Sequence, residues 1–140
     1  MTATTTDRDT KRSDGKLKAV KMSNVKIPKG VLVCINTSGY ATNGADTASF
    51  LFGGVSYEQV DNSGGSAGDK EIRVEKTGEH AFVYNGTDAS QAILGKEVYI
   101  VDNQTVDDDA GATTNDIKCG VIAEVVSGSL VRIRIDNYTR

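Results

Sequence analysis

The sequence has no tryptophan, one proline, one histidine and two cysteines. A lone His80 cannot build a histidine-based metal site, and no carboxylate or thiol accompanies it at ligand spacing. An enzyme must gather an acid, base, nucleophile or metal into a pocket. The inventory predicts no catalytic residue, no bound metal and no cofactor. Sugar-binding modules stack ligands on exposed aromatics, for which tryptophan is missing. The five tyrosines (Tyr40, Tyr57, Tyr84, Tyr99 and Tyr138) and three phenylalanines fall mostly in expected strands, where they serve core packing. No apolar run approaches the roughly 20 residues that span a bilayer, so no membrane association is expected. The leader MTATTTDRDTKRSDGK lacks an apolar centre and is no signal peptide, which places synthesis in a cytoplasm. There Cys34 and Cys119 are expected as buried free thiols rather than a disulfide. N-x-S/T triplets at Asn36, Asn85, Asn103 and Asn137 then carry no glycosylation message.

What is present is glycine, charge and short apolar runs. Glycine reaches 15 of 140 residues, which suits many tight turns, and the length suits one domain with a hydrophobic core. Residues 1–29 carry eight Lys/Arg against three Asp, and the remainder carries eight against sixteen Asp/Glu, so a basic leader precedes an acidic body. Residues 1–16 have almost no large apolar side chain and cannot offset the ordering cost of about 1–2 kcal/mol per residue. They are expected to form a flexible basic arm ahead of a β-domain over 17–140. Such an arm is either a solvated tail or a segment that lies on an acidic partner. Interspersed Asp7, Asp9 and Asp14 and the lack of aromatics make it a poor nucleic-acid ligand.

From residue 17 the pattern is that of strands. Residues 17–22 alternate apolar and basic, as an edge strand guarded by lysines does. Pro28 and Gly30 punctuate a turn. Val31, Leu32, Val33, Cys34 and Ile35 form a continuous apolar run, the mark of a strand buried on both faces. Residues 50–57 form a strand interrupted by Gly53 and Gly54, where a bulge or close backbone approach is expected. Residues 71–76 and 79–84 alternate around Thr77-Gly78 and read as a hairpin, with His80 as a half-buried packing residue. Asp88, Gln91 and Gly95 mark the cap, capping box and end of one or two helical turns over 88–94. Strands follow at 97–101, 119–126 and 130–135, the last two joined by Ser127-Gly128-Ser129. Val131, Ile133 and Ile135 face inward there, and Arg132 and Arg134 outward.

Two loops invite a chemical reading. Residues 61–68 (DNSGGSAG) lack the G-K-[ST] ending and following helix of a phosphate loop. Asp107, Asp108 and Asp109 lack the alternating ligands and terminal Glu of an EF-hand calcium loop, so a solvated acidic loop is expected. The whole is an all-β small barrel or sandwich of about eight short strands, with an extended N-terminal arm and at most one short helix.

Residues 50–74 (FLFGGVSYEQVDNSGGSAGDKEIRV), with Lys76, Gly78 and Phe82, resemble the core of tailed-phage capsid decoration proteins. In that family a G-V-x-x-E strand, a small-residue loop, an alternating strand and a K-x-G-x-x-x-F hairpin occur in this order. Here they correspond to Gly54, Val55 and Glu58, the 61–68 loop, and Lys76, Gly78 and Phe82. The stretches GKEVYIVD (95–102), GVIAEV (120–125) and VRIRI (131–135) are similar to the family's closing strands. The resemblance implies a cement protein on the outside of a virion, a homotrimer or sometimes a monomer that bridges major capsid protein subunits. The arm's Arg8, Lys11, Arg12 and Lys16, with Lys18 and Lys21, are the expected capsid contacts. A head-fibre base, a tail or baseplate β-domain, and a glycan-binding module are the alternatives.

Overall fold

A computed structural model describes residues 2–136; Asn137 and Tyr138 lie outside the described residues. Residues 2–16 form no strand and, Gly15 apart, are exposed. The rest is built almost entirely of strands. Five close a small barrel: β8 (Gly78–Tyr84), β9 (Glu97–Ile100), β10 (Thr105–Asp107), β11 (Lys118–Ser127) and β12 (Leu130–Ile135), in the order β10-β8-β12-β11-β9. Its pairs are antiparallel except β10 with β8. Five more form an antiparallel sheet in the order β1-β7-β5-β3-β4: β1 (Leu17–Lys21), β3 (Leu32–Ile35), β4 (Ala41–Asn43), β5 (Leu51–Ser56) and β7 (Glu71–Glu75). A two-stranded ribbon, β2 (Lys26–Ile27) with β6 (Val60–Asp61), completes the set.

The alternation of β12 builds the barrel core. Val131, Ile133 and Ile135 are buried, and they pack with Phe82, Val98, Ile100, Val106 and Ile122. Fully burying each such side chain contributes about 1.5–3 kcal/mol, and the lumen is filled by side chains. β11 and β12 form the expected hairpin, with Ser127 opposite Leu130.

β3 is buried on both faces, as its unbroken apolar run requires. Leu32 and Cys34 join Phe52 and Val55 against the barrel core, while Val33 faces a second core of Met22, Ile27, Ala41, Ile72 and Val74. One strand therefore divides two hydrophobic clusters. Backbone bonds tie it to the barrel, with Leu32 N–H donating to Asn103 O at 2.8 Å.

The glycine pair in β5 produces both features expected of it. Gly54 pairs with Val33 and Phe52 with Cys34, so Gly53 is the extra residue of a bulge. Gly54 has φ +136°, and a Cβ there would stand 2.5 Å from Glu75 O.

Two expectations are corrected. Residues 71–76 and 79–84 do not form a hairpin: β7 pairs with β1 and β5, and β8 with β12 and β10. The chain crosses here from sheet to barrel. Gly78 at φ +104° turns the backbone, and Lys76, only 8% exposed, is drawn inward by its Nζ donating to Gly53 O at 2.9 Å. The helix expected over 88–94 shrinks to one 3-10 turn at Gln91–Ile93. Ser90, rather than Asp88, sits at its N-cap, without a side-chain bond. Asp88 has φ +55°, outside the extended conformation an N-cap adopts. A second 3-10 turn lies at Ala110–Ala112.

Both thiols are buried, and neither is in a disulfide. The long 108–117 connection is fastened by Asp46, whose carboxylate accepts from Thr114 N–H at 2.7 Å and Asn115 N–H at 2.8 Å. These bonds, Thr114's first, hold the Asp46 carboxyl below the usual carboxylate range. A lowered folded pKa means the tether is complete above the unfolded carboxylate range and is lost as pH falls through the lowered value. Relative to their intrinsic exchange rates, the Thr114 and Asn115 amides should lose protection at acid pH before the barrel amides do. Asp46→Ala should produce the same local release at neutral pH. Unchanged exchange at those two amides would show that the loop is held by other means.

Candidate functional site

Charge divides differently by structural segment than by sequence half. Up to Gly15, three Lys/Arg meet three Asp and cancel. The entire excess lies on Lys16, Lys18, Lys21, Lys26 and Lys29, five lysines with no carboxylate among them. Arg8, Lys11 and Arg12 are exposed along the arm, and no strand brings them together. Lys16 is the junction: its carbonyl accepts the Lys76 N–H at 2.8 Å, fixing the root of the arm where sheet gives way to barrel.

Lys18 and Lys21 lie on β1, the terminal strand of the sheet, paired on one side only with β7. Their odd separation sends them to opposite faces. Lys18 lies opposite Val74 and shares its face with Val20, at the rim of the second core; Lys21 lies opposite Glu71. Both are exposed. The lysines thus line an open edge rather than a single patch, and edge lysines of this kind keep a strand from pairing indiscriminately.

Beside the arm's root is an open groove of about 410 Å³ between the sheet and the start of β8. Leu17 and Tyr57 supply its apolar surface; Lys16, Glu75, Glu79 and His80 supply its polar groups. Tyr57 is 44% exposed, contrary to the core role expected for it. β5, buried from Phe52 to Ser56, ends one residue before Tyr57. Arg73 lies over the Tyr57 ring at 4.9 Å from its centre. The guanidinium also holds Glu58 through two bonds, Nε to Oε1 at 3.2 Å and Nη2 to Oε2 at 2.8 Å. That pairing lowers the Glu58 carboxyl and raises the Arg73 guanidinium. His80 is half-buried, with Nε2 3.2 Å from Thr77 O and 3.6 Å from the Glu75 carboxylate.

Of the aspartate triplet, Asp109 is exposed as expected, while Asp107 and Asp108 depart from the solvated loop. Asp107 is 3% exposed. Its carboxylate accepts from Asn85 Nδ2 at 2.7 Å and from Asp109 N–H at 2.9 Å, which makes its burial tolerable. Asp108 accepts from the Tyr84 hydroxyl at 2.5 Å and lies 3.4 Å from Lys96 Nζ. Burial first, then Asp108, pushes the Tyr84 phenol up. This cluster joins β8 to β10 and supports the parallel pair that closes the barrel.

Among the described residues, no three His, Cys, Asp or Glu side chains converge to hold a metal. Burial pushes the Cys34 thiol up to about 11, so it keeps its proton at neutral pH. No helix among the described residues is long and apolar enough to cross a membrane. Compared with protein families, with curated proteins and with solved structures, the chain matches none.

Proposed function

We propose that the protein is a structural component of a tailed-phage virion that seats on the outer surface of the capsid and cements neighbouring major capsid subunits. The observation that carries this reading is the exposed terminal strand β1 of a close-packed β-body, which carries Lys18 and Lys21 and has Lys16 at its root. A body with two filled cores supplies fixed shape. Its open edge presents unpaired backbone groups and lysine ammoniums to an acidic surface. Arg8, Lys11 and Arg12 extend the same contact along the arm. Many copies on a repeating lattice give avidity without high affinity per copy. A homotrimer at threefold positions is the assembly this reading favours.

The test is to add the purified protein to expanded heads that lack it and to measure copies bound and head stability to heat. Saturable binding on the order of hundreds of copies per head, with raised stability, supports the reading. A few tens of copies would point to a head-fibre, tail or baseplate part, and no binding would remove the capsid role.

One observation favours a second reading. Exposed Tyr57 stands in a groove with Glu75 and Glu79, and an aromatic beside carboxylates is a surface on which a sugar ring can stack and hydrogen-bond. A glycan array separates the two: binding that Tyr57→Ala abolishes would favour a carbohydrate-binding module.

A further inference from the structure

The loop between β6 and β7, residues 62–70, is organised around the Asn62 side chain. Asn62 is 1% exposed. Its amide nitrogen donates to Ser23 O and to Ser66 O, both at 3.0 Å. Its Oδ1 is buried with no hydrogen-bond partner, the one such side-chain atom among the described residues. Buried acceptors are seldom left unmade in folded proteins. Something belongs against this oxygen.

The surroundings say what. A Cβ on Gly65 would stand 2.5 Å from Asn62 Oδ1 and 3.0 Å from Asp69 Oδ2, so two oxygens from different residues border the space that this glycine leaves empty. Asp61 and Asp69 line the same open cleft of about 520 Å³, with Lys70 at its side. The loop's own hydrogen bonds occupy one oxygen of each carboxylate: Asp61 Oδ1 accepts from Ser63, and Asp69 Oδ2 from Ser66 N–H at 2.9 Å. Asp61 Oδ2 and Asp69 Oδ1 take no part in these bonds. Lys70 Nζ donates to Asp61 O at 2.7 Å, and Lys26 lies opposite Asp61 across the ribbon, so two cations oppose the carboxylates.

We propose that this loop binds a hard divalent cation, calcium by its chemistry, with Asn62 Oδ1, Asp61 and Asp69 as protein ligands and water completing the shell. The donors are all oxygen, and no imidazole or thiolate lines the cleft, which disfavours transition metals. Calcium accepts irregular oxygen sets from a Gly/Ser loop, whereas magnesium requires near-ideal octahedral geometry. Two carboxylates opposed by Lys26 and Lys70 set a weak affinity, on the order of 10⁻⁴–10⁻³ M or weaker, at the level of extracellular calcium modules. Asp61 belongs to β6, whose partner β2 supplies Ile27 to the second core, so the ion would stiffen the cover of that core.

The experiment is a titration of the full chain with calcium chloride, followed by calorimetry and thermal unfolding, with magnesium chloride at equal ionic strength as reference. The unfolding midpoint should rise with calcium and much less with magnesium. Asp61→Asn and Asp69→Asn keep an amide oxygen for the Ser63 and Ser66 N–H groups, so they fold, and each should weaken calcium binding about tenfold or more. Lys70→Gln should tighten it. No calcium heat and no midpoint shift up to about 10 mM would overturn the proposal and assign a buried water to Asn62. A shift that survives in both aspartate variants would overturn it equally.

Discussion

Replacing Lys16, Lys18 and Lys21 together by glutamine will weaken binding to expanded heads about tenfold and flatten its dependence on salt. Each exposed ion pair contributes about 0.2–1 kcal/mol. Three together come to roughly 1.5 kcal/mol, or about a factor of ten in affinity. Deleting residues 2–15 should also weaken binding, about tenfold or more given the length of chain that orders against the shell, but by different physics. The three basic residues of that segment are matched by three aspartates, so the loss should lower the salt dependence less than the lysine substitutions do. Co-sedimentation at two ionic strengths distinguishes the two. An unchanged salt slope in the lysine variant would remove the lysines from the contact. Unchanged occupancy after the deletion would show that the arm is only a tail. Both variants should retain the midpoint of thermal unfolding, because the altered side chains and, Gly15 apart, the deleted segment are exposed.

Gly54→Ala will be the most destabilising single-methyl addition available in the sheet. Gly54 has φ +136°, where a side chain is strained, and its Cβ would meet the Glu75 carbonyl oxygen at 2.5 Å and Val74 Cβ at 3.2 Å. Backbone strain costs about 1–3 kcal/mol. The obstruction is main chain of β7, which cannot rotate aside as a flexible side chain would. A total of about 3–5 kcal/mol is expected, lowering the unfolding midpoint by roughly 10–20 °C. Gly64→Ala is the control, since nothing lies within 4 Å of a Cβ there and its φ is ordinary. Urea denaturation of the two variants measures the contrast. A Gly54→Ala cost under about 1 kcal/mol would mean the bulge is readily remodelled.

Legibility in the sequence followed the range of the interaction involved. The inward residues of β12, the hairpin at Gly128, the two-sided burial of β3 and the bulge at Gly53 are local patterns, and each is found where the pattern placed it. The supposed hairpin at Thr77-Gly78 failed because the pattern there is compatible with two outcomes. The choice was made by β1, which pairs with β7 from far away in the chain. Asp107 was misplaced for a related reason: its burial depends on Asn85, 22 residues earlier. The small strands β2, β4, β6 and β10, of two or three residues each, carry too little pattern to be seen. At the candidate site, the basic leader was visible, but its division into a neutral arm and a cationic edge required knowing that β1 begins at Leu17. Tyr57 and the orphaned Asn62 oxygen had no sequence signal, since exposure and hydrogen-bond satisfaction are properties of the assembled chain.

The pairing of Leu17 with Glu75 also bears on how the polypeptide is made. As it leaves the ribosome, the first strand emerges with no partner and waits, solvated, until β7 has been synthesised. β3 and β5 can pair in the meantime and hold a half-built sheet with one vacant side. The lysines along β1 keep that waiting strand from joining its like on neighbouring nascent chains, so the residues proposed to grip a shell would first act as a safeguard during synthesis.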